Sequence, residues 1–517
     1  MGVFWLLDGV GIGIIDAMFS KSKEQPLKIL FVASEAAPFV EVGGLGKVMH
    51  SLPKALRKLG HDARVLVPKY ASIDQDKYPL KTELSNIGVE SGDKDPNGLL
   101  ISNVLRHVNS EGGINYFLEN MEYYEKRANV YGYGDDAVRW VILSKGTLEF
   151  IKRSEWKPDV IVASDWQTGF IPNLVHADYK DDPVLSKIPI IFSIHNLRHQ
   201  GMFDPKFVSE MDFDAGQASI TDFFDVRTNK LNGMRRGIMY ADLINTVSST
   251  YAREILTEEF GEGLDKLLNE RKSRLFGILN GINTDSLDPE TDKDLVVNYS
   301  AKTFYKRLEN QVALQKQFGL PATKGDVFVI GMVGRMDAQK GFDLVTQVLD
   351  PLMENINFQF IMIGEGDPNY RVYFEELKVK YPDRVGTHFS FDARLPRMIF
   401  GGADAVLIPS KFEPSGLVQM EAMRYGCIPI VRKVGGLADS VRDFNPEKDE
   451  GTGFVFEKYD PFSLTIAIVR ASELYRQKKE WEKLVKRAMI QDFSWEKSAK
   501  EYVKLFEMAL RFHKESQ

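Results

Sequence analysis

Residues 403–442, ADAVLIPSKFEPSGLVQMEAMRYGCIPIVRKVGGLADSVR, place the tightest constraint on how the chain can fold. Ala403–Pro409 is an apolar run of strand length, and Ser410–Gly416 carries turn residues. Leu417–Tyr425 reads as a short helix that Gly426 stops at a left-handed cap. A second apolar run, Cys427–Val431, follows, and Gly435-Gly436 opens another helix. Open α/β sheets bind ligands beyond the carboxyl ends of their strands, and Glu413 stands on such a loop. Glu421, eight residues on, lies in the helix and reaches the same crevice. The N–H groups of Gly416, Leu417 and Val418, with Ser415 beside them, open that helix, a place suited to phosphate. Most glutamates are solvated surface acids. Here Pro414, Gly416 and two small-residue loops favour a site.

The same alternation runs along the rest of the chain. Leu27–Ala33, Ala63–Val67, Ile114–Leu118, Asp159–Ala163, Ile188–Ile194 and Ala241–Val247 read as strands between helical stretches. The first helix, Leu45–Leu59, should kink at Pro53. Leu279–Thr284 breaks the pattern, and a second run starts with Val327–Val333 and Phe358–Ile363. The expectation is two α/β halves with parallel, doubly wound sheets facing a cleft. Phe493–Phe512 is an amphipathic helix.

Several loops carry chemistry. Gly43 and Gly44, in Glu41-Val42-Gly43-Gly44-Leu45, lie before a helix, where backbone can approach a phosphate; a plain tight turn explains the glycines equally well. Asp165, in Ser164–Gly169, and His195-Asn196 each fall at the carboxyl end of a strand. A lone His or Asp is more often a cap or a satisfied core group, but two such ends aimed at one crevice favour function. Arg335 and Lys340 share the loop after Val333, so both cations and a helix start face one spot, suited to a diphosphate leaving group. The pairs Asp74/Asp76, Asp212/Asp214 and Asp292/Asp294 lie in polar loops, and no metal-binding motif is apparent.

A chain of 517 residues is too long for one core. The net charge of −7 argues against a general nucleic-acid binder. A single cysteine, Cys427, excludes an internal disulfide and fits a reducing, cytoplasmic setting. Met1–Phe19 is largely apolar but holds Asp8 and Asp16 and lacks a basic leader, which argues against a secretory signal or a membrane span. Gly9-Val10-Gly11-Ile12-Gly13 has no adequate strand before it and is a weak nucleotide motif. Met18 as an alternative start is favoured over a peripheral apolar anchor, and no clear membrane partner emerges.

Residues 403–442 resemble the E-x7-E loop of retaining glycosyltransferases with the two-domain GT-B fold, and most resemble glycogen and starch synthases. That family's HDWxT, TIHN, xYQGxF, NGID and R-x4-K segments are matched by residues 164–168, 193–196, 199–203, 280–283 and 335–340, with Ser164 in place of the first histidine. The likeness covers roughly residues 28–510. It implies an extension at 1–25, Rossmann-like domains at 26–278 and 279–491, and a last helix, 492–517, crossing back to the first domain. It also implies glucose transfer with retention from a nucleotide diphosphate sugar to an α-1,4-glucan end, with no metal or other cofactor. Arg335 and Lys340 would hold the diphosphate, and Glu413 would bind sugar hydroxyls and steady a cationic transition state. His195 would contact the glucose, while Asp165 and Asn196 would fix sugar or acceptor. Glu421 would take the ribose diol and Phe391 would stack on the base.

Three departures bear on the donor. The family's Lys-x-Gly-Gly-Leu-x-Asp appears with both charges reversed, as Glu41 and Lys47. Glu421 is an acid that many bacterial synthases lack, and Val418 stands where many have threonine. ADP-glucose is the favoured donor over UDP-glucose. The alternatives are another GT-B transferase with a small acceptor, or a non-catalytic glucan-binding homologue.

Overall fold

The computed structural model describes residues 25–92, 98–201, 214–220, 223 and 225–516. The readings made on residues 1–19 and on Met202, Phe203 and Asp212 lie outside these residues. Nine strands form the first sheet: β1 (Lys28–Val32), β2 (Asp62–Pro68), β3 (Lys81–Glu90), β4 (Leu99–Val108), β5 (Ile114–Glu119), β6 (Val160–Ser164), β7 (Ile190–Ile194), β8 (Leu243–Thr246) and β9 (Leu275–Gly277). Their spatial order is β3-β4-β5-β2-β1-β6-β7-β8-β9. The second sheet has β10 (Phe328–Val333), β11 (Phe358–Ile363), β12 (Val385–His388), β13 (Ala405–Ile408), β14 (Ile428–Arg432) and β15 (Phe454–Phe456), in the order β12-β11-β10-β13-β14-β15.

All pairings of the second sheet are parallel. The first is not wholly so: β4 runs antiparallel to both β3 and β5. This extension at one edge was not read from the sequence. Its strands alternate irregularly and stay half exposed, with a register shift in β3, so they lack the solid apolar runs that mark strands covered on both faces. Ile29–Val32 shows that mark, with every residue fully buried. Pro53 lies inside helix Gly44–Lys58, which continues beyond it to Lys58.

Each sheet carries its own core. The final helix, Trp495–Ser516, belongs to the first: Trp495, Ala499, Tyr502 and Phe506 are buried in it. Both connections between the domains therefore run side by side. Ile282 N donates to Phe493 O at 2.8 Å, and Ser498 Oγ donates to Leu279 O at 2.7 Å. A Cβ at Gly281 would stand 2.6 Å from Trp495 N, so the two passing segments meet backbone to backbone there.

Candidate active site

The second domain's wall is built on the loop after β13. Glu413 is buried, and its Oε2 accepts from Lys340 Nζ at 2.6 Å and from Ser410 Oγ at 3.0 Å. Lys340 closes the turn Ala338–Lys340 after β10, where Asp337 Oδ1 accepts its backbone N–H at 3.0 Å. Arg335, largely exposed, donates from Nε to the other oxygen of Asp337 at 2.7 Å. Asp337 thus holds both cations in place. Gly436 packs beneath the loop: its N–H donates to Glu413 O at 3.0 Å, and a Cβ there would fall 1.9 Å from Ser415 O. Only glycine lets the helix start come so close.

The first domain's wall uses backbone instead. Ser164 and Ser193 pair across β6 and β7, which brings the two strand ends together. Asp165 then turns into left-handed backbone (φ 58°), a region where aspartate is better tolerated than most residues. Its Oδ1 accepts from His195 N at 2.7 Å and Asn196 N at 3.3 Å, and its own N–H donates to Ser193 O at 2.8 Å. Burial pushes the Asp165 carboxyl up to about 7 against the pull of those two N–H groups. Burial likewise pushes the His195 imidazole down to about 4, so the ring is neutral near pH 7. The Ser193 hydroxyl donates its one proton to Asn245 Oδ1 at 2.6 Å, so it can only accept from His195 Nε2 at 3.2 Å. The proton is therefore on Nε2 and the free acceptor is Nδ1. Asn196 Oδ1 accepts from Arg198 N at 3.1 Å, closing a local turn.

Between the domains lies a cavity of about 940 Å³, lined by Lys47, Arg335, Phe391, Arg397, Leu417 and Glu421 among others. Phe391 is 90% exposed, an unusual cost for a free phenyl ring. Burial raises the Glu421 carboxyl, and Lys47 and Arg397 pull it back. The charge of Lys47 acts on Glu421 across the cleft, while the charge of Glu41 acts on Glu35. Gly44 is open, with nothing near a Cβ position, whereas the N–H of Gly43 is already given to Glu35 Oε2 at 3.0 Å. Val418 is half buried at the start of helix Val418–Arg424, Gly416 adopts φ 65°, and Ser415 Oγ is buried without a partner among the described residues.

Lys340, Glu413, His195 and Asp165 do not line that cavity. A second one of about 370 Å³ is lined by Arg198, Tyr251 and Glu262 of the first domain and by Gln339 and Phe412 of the second, each the neighbour of Lys340 or Glu413. Lys340 and Glu413 themselves line neither cavity; their chain neighbours Gln339 and Phe412 line the smaller one.

A family profile described as the starch synthase catalytic domain matches residues 28–270, and one for glycosyl transferases group 1 matches residues 315–488. Glycogen synthase of Moorella thermoacetica is 41% identical over 494 residues, covering 94% of this chain and 97% of that protein. The chain belongs to the glycogen and starch synthase family. Glycogen synthase of Thermotoga petrophila is 39% identical over 489 residues, covering 94% of this chain and 99% of its own. The solved catalytic domain of Starch Synthase IV from Arabidopsis thaliana bound to ADP and acarbose superposes with a TM-score of 0.81 at 31% identity, covering 94% of this chain and 100% of that one. This member of the synthase family accordingly has the GT-B fold and is a glycosyltransferase.

Several residues of this synthase-family site escaped the sequence reading. Glu35 accepts the N–H groups of Val42 and Gly43 and so shapes the glycine loop; its place just beyond β1 was a usable signal. Ser410, Ser193 and Asn245 set Glu413 and His195, but only through strand pairing and a tight loop. Arg397 is anchored by Asp292, 3.3 Å away and buried, though Asp292 was read as part of a polar loop. Among the described residues no group of three or more His, Cys, Asp or Glu is placed to hold a metal, and no helix is long and apolar enough to cross a membrane.

Proposed function

We propose that the chain transfers glucose with retention from ADP-glucose to the non-reducing end of an α-1,4-glucan. The observation that carries this reading is the 2.6 Å contact of Lys340 with Glu413 on loops whose other members, Arg335 and Leu417, line the larger cavity between the domains. The relative from Arabidopsis, bound to ADP and acarbose, supports a nucleotide and a glucan as the ligands. One N–H of Lys340 faces Glu413; the other two remain for phosphate oxygens, and Arg335 adds a second cation. Both contacts to Glu413 fall on Oε2, which leaves Oε1 for a sugar hydroxyl. The buried Ser415 hydroxyl, without a partner among the described residues, suits a ligand oxygen. Glu421 takes the ribose diol, and exposed Phe391 stacks on the base.

The bond from the anomeric carbon to the diphosphate breaks while the acceptor 4-hydroxyl forms its new bond on the same face. The hydroxyl proton goes to the departing phosphate oxygen, so no side-chain nucleophile is needed. Positive charge on the sugar is met by Glu413 and negative charge on the leaving group by Lys340 and Arg335. No divalent ion takes part, and a chelator leaves the rate unchanged. Incubation with labelled ADP-glucose or UDP-glucose plus glycogen tests the reading. Label should enter polymer chiefly from ADP-glucose and be released by an α-1,4-specific amylase. No polymer label from either donor would overturn it.

A further inference from the structure

Beside the loop that carries Glu413, the two domains are tied by hydrogen bonds from one short helix. Ser248, which caps helix Ser249–Glu254 of the first domain, donates its hydroxyl to Pro414 O at 2.7 Å and accepts from Tyr251 N at 3.1 Å. Glu254, at the far end of that helix, accepts the N–H of Gly435 on both oxygens, at 3.0 and 3.1 Å. Gly435 has φ 44°, and its Cβ position lies 2.0 Å from Glu413 O; the next residue, Gly436, donates to that same oxygen at 3.0 Å. A third tie joins Thr250 to Asp439, further along the helix that Gly435 opens, by its N–H (2.9 Å) and its hydroxyl (2.6 Å).

We propose that Glu254 and Ser248 are positioning residues for Glu413: the first domain sets, through Gly435 and Pro414, where the second domain's carboxylate stands against the reacting sugar. Ser248 holds the carbonyl immediately after Glu413, and Glu254 holds the glycine pair on which the Glu413 backbone rests. The loop belongs to the second domain by chain, yet its reference points include groups of the wall that also bears His195 and Asp165. An acid half inside an interface is costly unless its hydrogen bonds hold something. Burial raises the Glu254 carboxyl to about 7 even with the Gly435 N–H and Arg432 drawing it down.

The inference rests on the glucosyl transfer proposed above, with Glu413 at the reacting sugar. The test compares wild type, Glu413→Gln, Glu254→Ala, Glu254→Gln, Ser248→Ala and Thr250→Val in the full chain, by kcat and donor KM with glycogen as acceptor. Glu254→Ala should lower kcat at least about tenfold while donor KM moves less than about threefold, the split expected of a lost transition-state alignment. Glu254→Gln, which keeps one acceptor oxygen for Gly435, should recover most of the rate, and Ser248→Ala should fall between. Thr250→Val keeps the N–H bond to Asp439 and loses no bond to Pro414 or Gly435, so it should stay within about twofold. Glu254→Ala at wild-type kcat, a loss confined to KM, or an equal loss in Thr250→Val would overturn the inference. Should Glu254→Ala fail to fold, Ser248→Ala at wild-type kcat overturns it instead. A wild type without transfer, or Glu413→Gln at full rate, would defeat the functional reading itself.

Discussion

On the second domain's wall Lys340 meets Glu413 as an ion pair, and Asp337 holds Arg335 and the Lys340 backbone. On the facing wall Asp165 is held by two backbone N–H groups, and His195 is kept neutral by burial and oriented through Ser193 and Asn245. One wall offers full charges in fixed places; the other offers dipoles and a neutral ring. The contrast matches the chemistry proposed for each side, since a departing diphosphate needs charge and a glucose ring needs directed hydrogen bonds. A fixed ion pair also needs little rearrangement when charge develops, which is where such groups gain their strength.

The largest effect should come from breaking the charged wall. Glu413→Gln is expected to lower kcat by about 10²–10³-fold with donor KM little changed; a raised KM at normal kcat would move Glu413 away from the reacting centre. On the neutral wall His195→Ala should cost about tenfold in kcat/KM, the scale of one hydrogen bond. A loss as large as that of Glu413→Gln would erase the contrast.

Acidity sharpens it further. With its carboxyl raised to about 7, Asp165 contributes stability that is present below about pH 4 and lost as pH rises through about 7. His195, lowered to about 4, acts oppositely: its contribution is present above about pH 6.5 and lost as pH falls through about 4. Urea midpoints should therefore show the advantage of wild type over Asp165→Asn shrinking from pH 5 to pH 8. Parallel curves would place the carboxylate in ordinary solvent. The smallest effect concerns Lys47. A double-mutant cycle on donor binding should couple Lys47 to Glu421 by about 0.2–1 kcal/mol, and Lys47 to Glu41 by about zero. Coupling to Glu41 alone would instead join the two reversed charges to each other.

The comparison also separates what the sequence could reveal. Solid apolar runs such as Phe358–Ile363 gave strands at their observed limits, and Gly426 adopts the left-handed cap read for it, with φ 72°. Loops at strand ends were legible because each lies within a few residues of its strand. Pairings made by folding were not. Glu41 and Lys47 lie six positions apart in the sequence, whereas Glu421, on which the charge of Lys47 acts, arrives from the other domain. Glu254 reads as an ordinary helix acid until Gly435, 181 residues away, is brought to it. The β3–β4 edge was missed because exposed strands have only one face to mark.

The last helix has a consequence for the order in which the molecule can form. Trp495, Tyr502 and Phe506 complete the first domain's core, yet the ribosome delivers them after every residue of the second domain. At about 5–20 residues per second, the roughly 200 residues in between take some ten to forty seconds to emerge. Through that interval the first domain carries an open apolar groove, and by its end the second already possesses all its own core. Domains usually finish in the order they are translated; here the one begun first closes last.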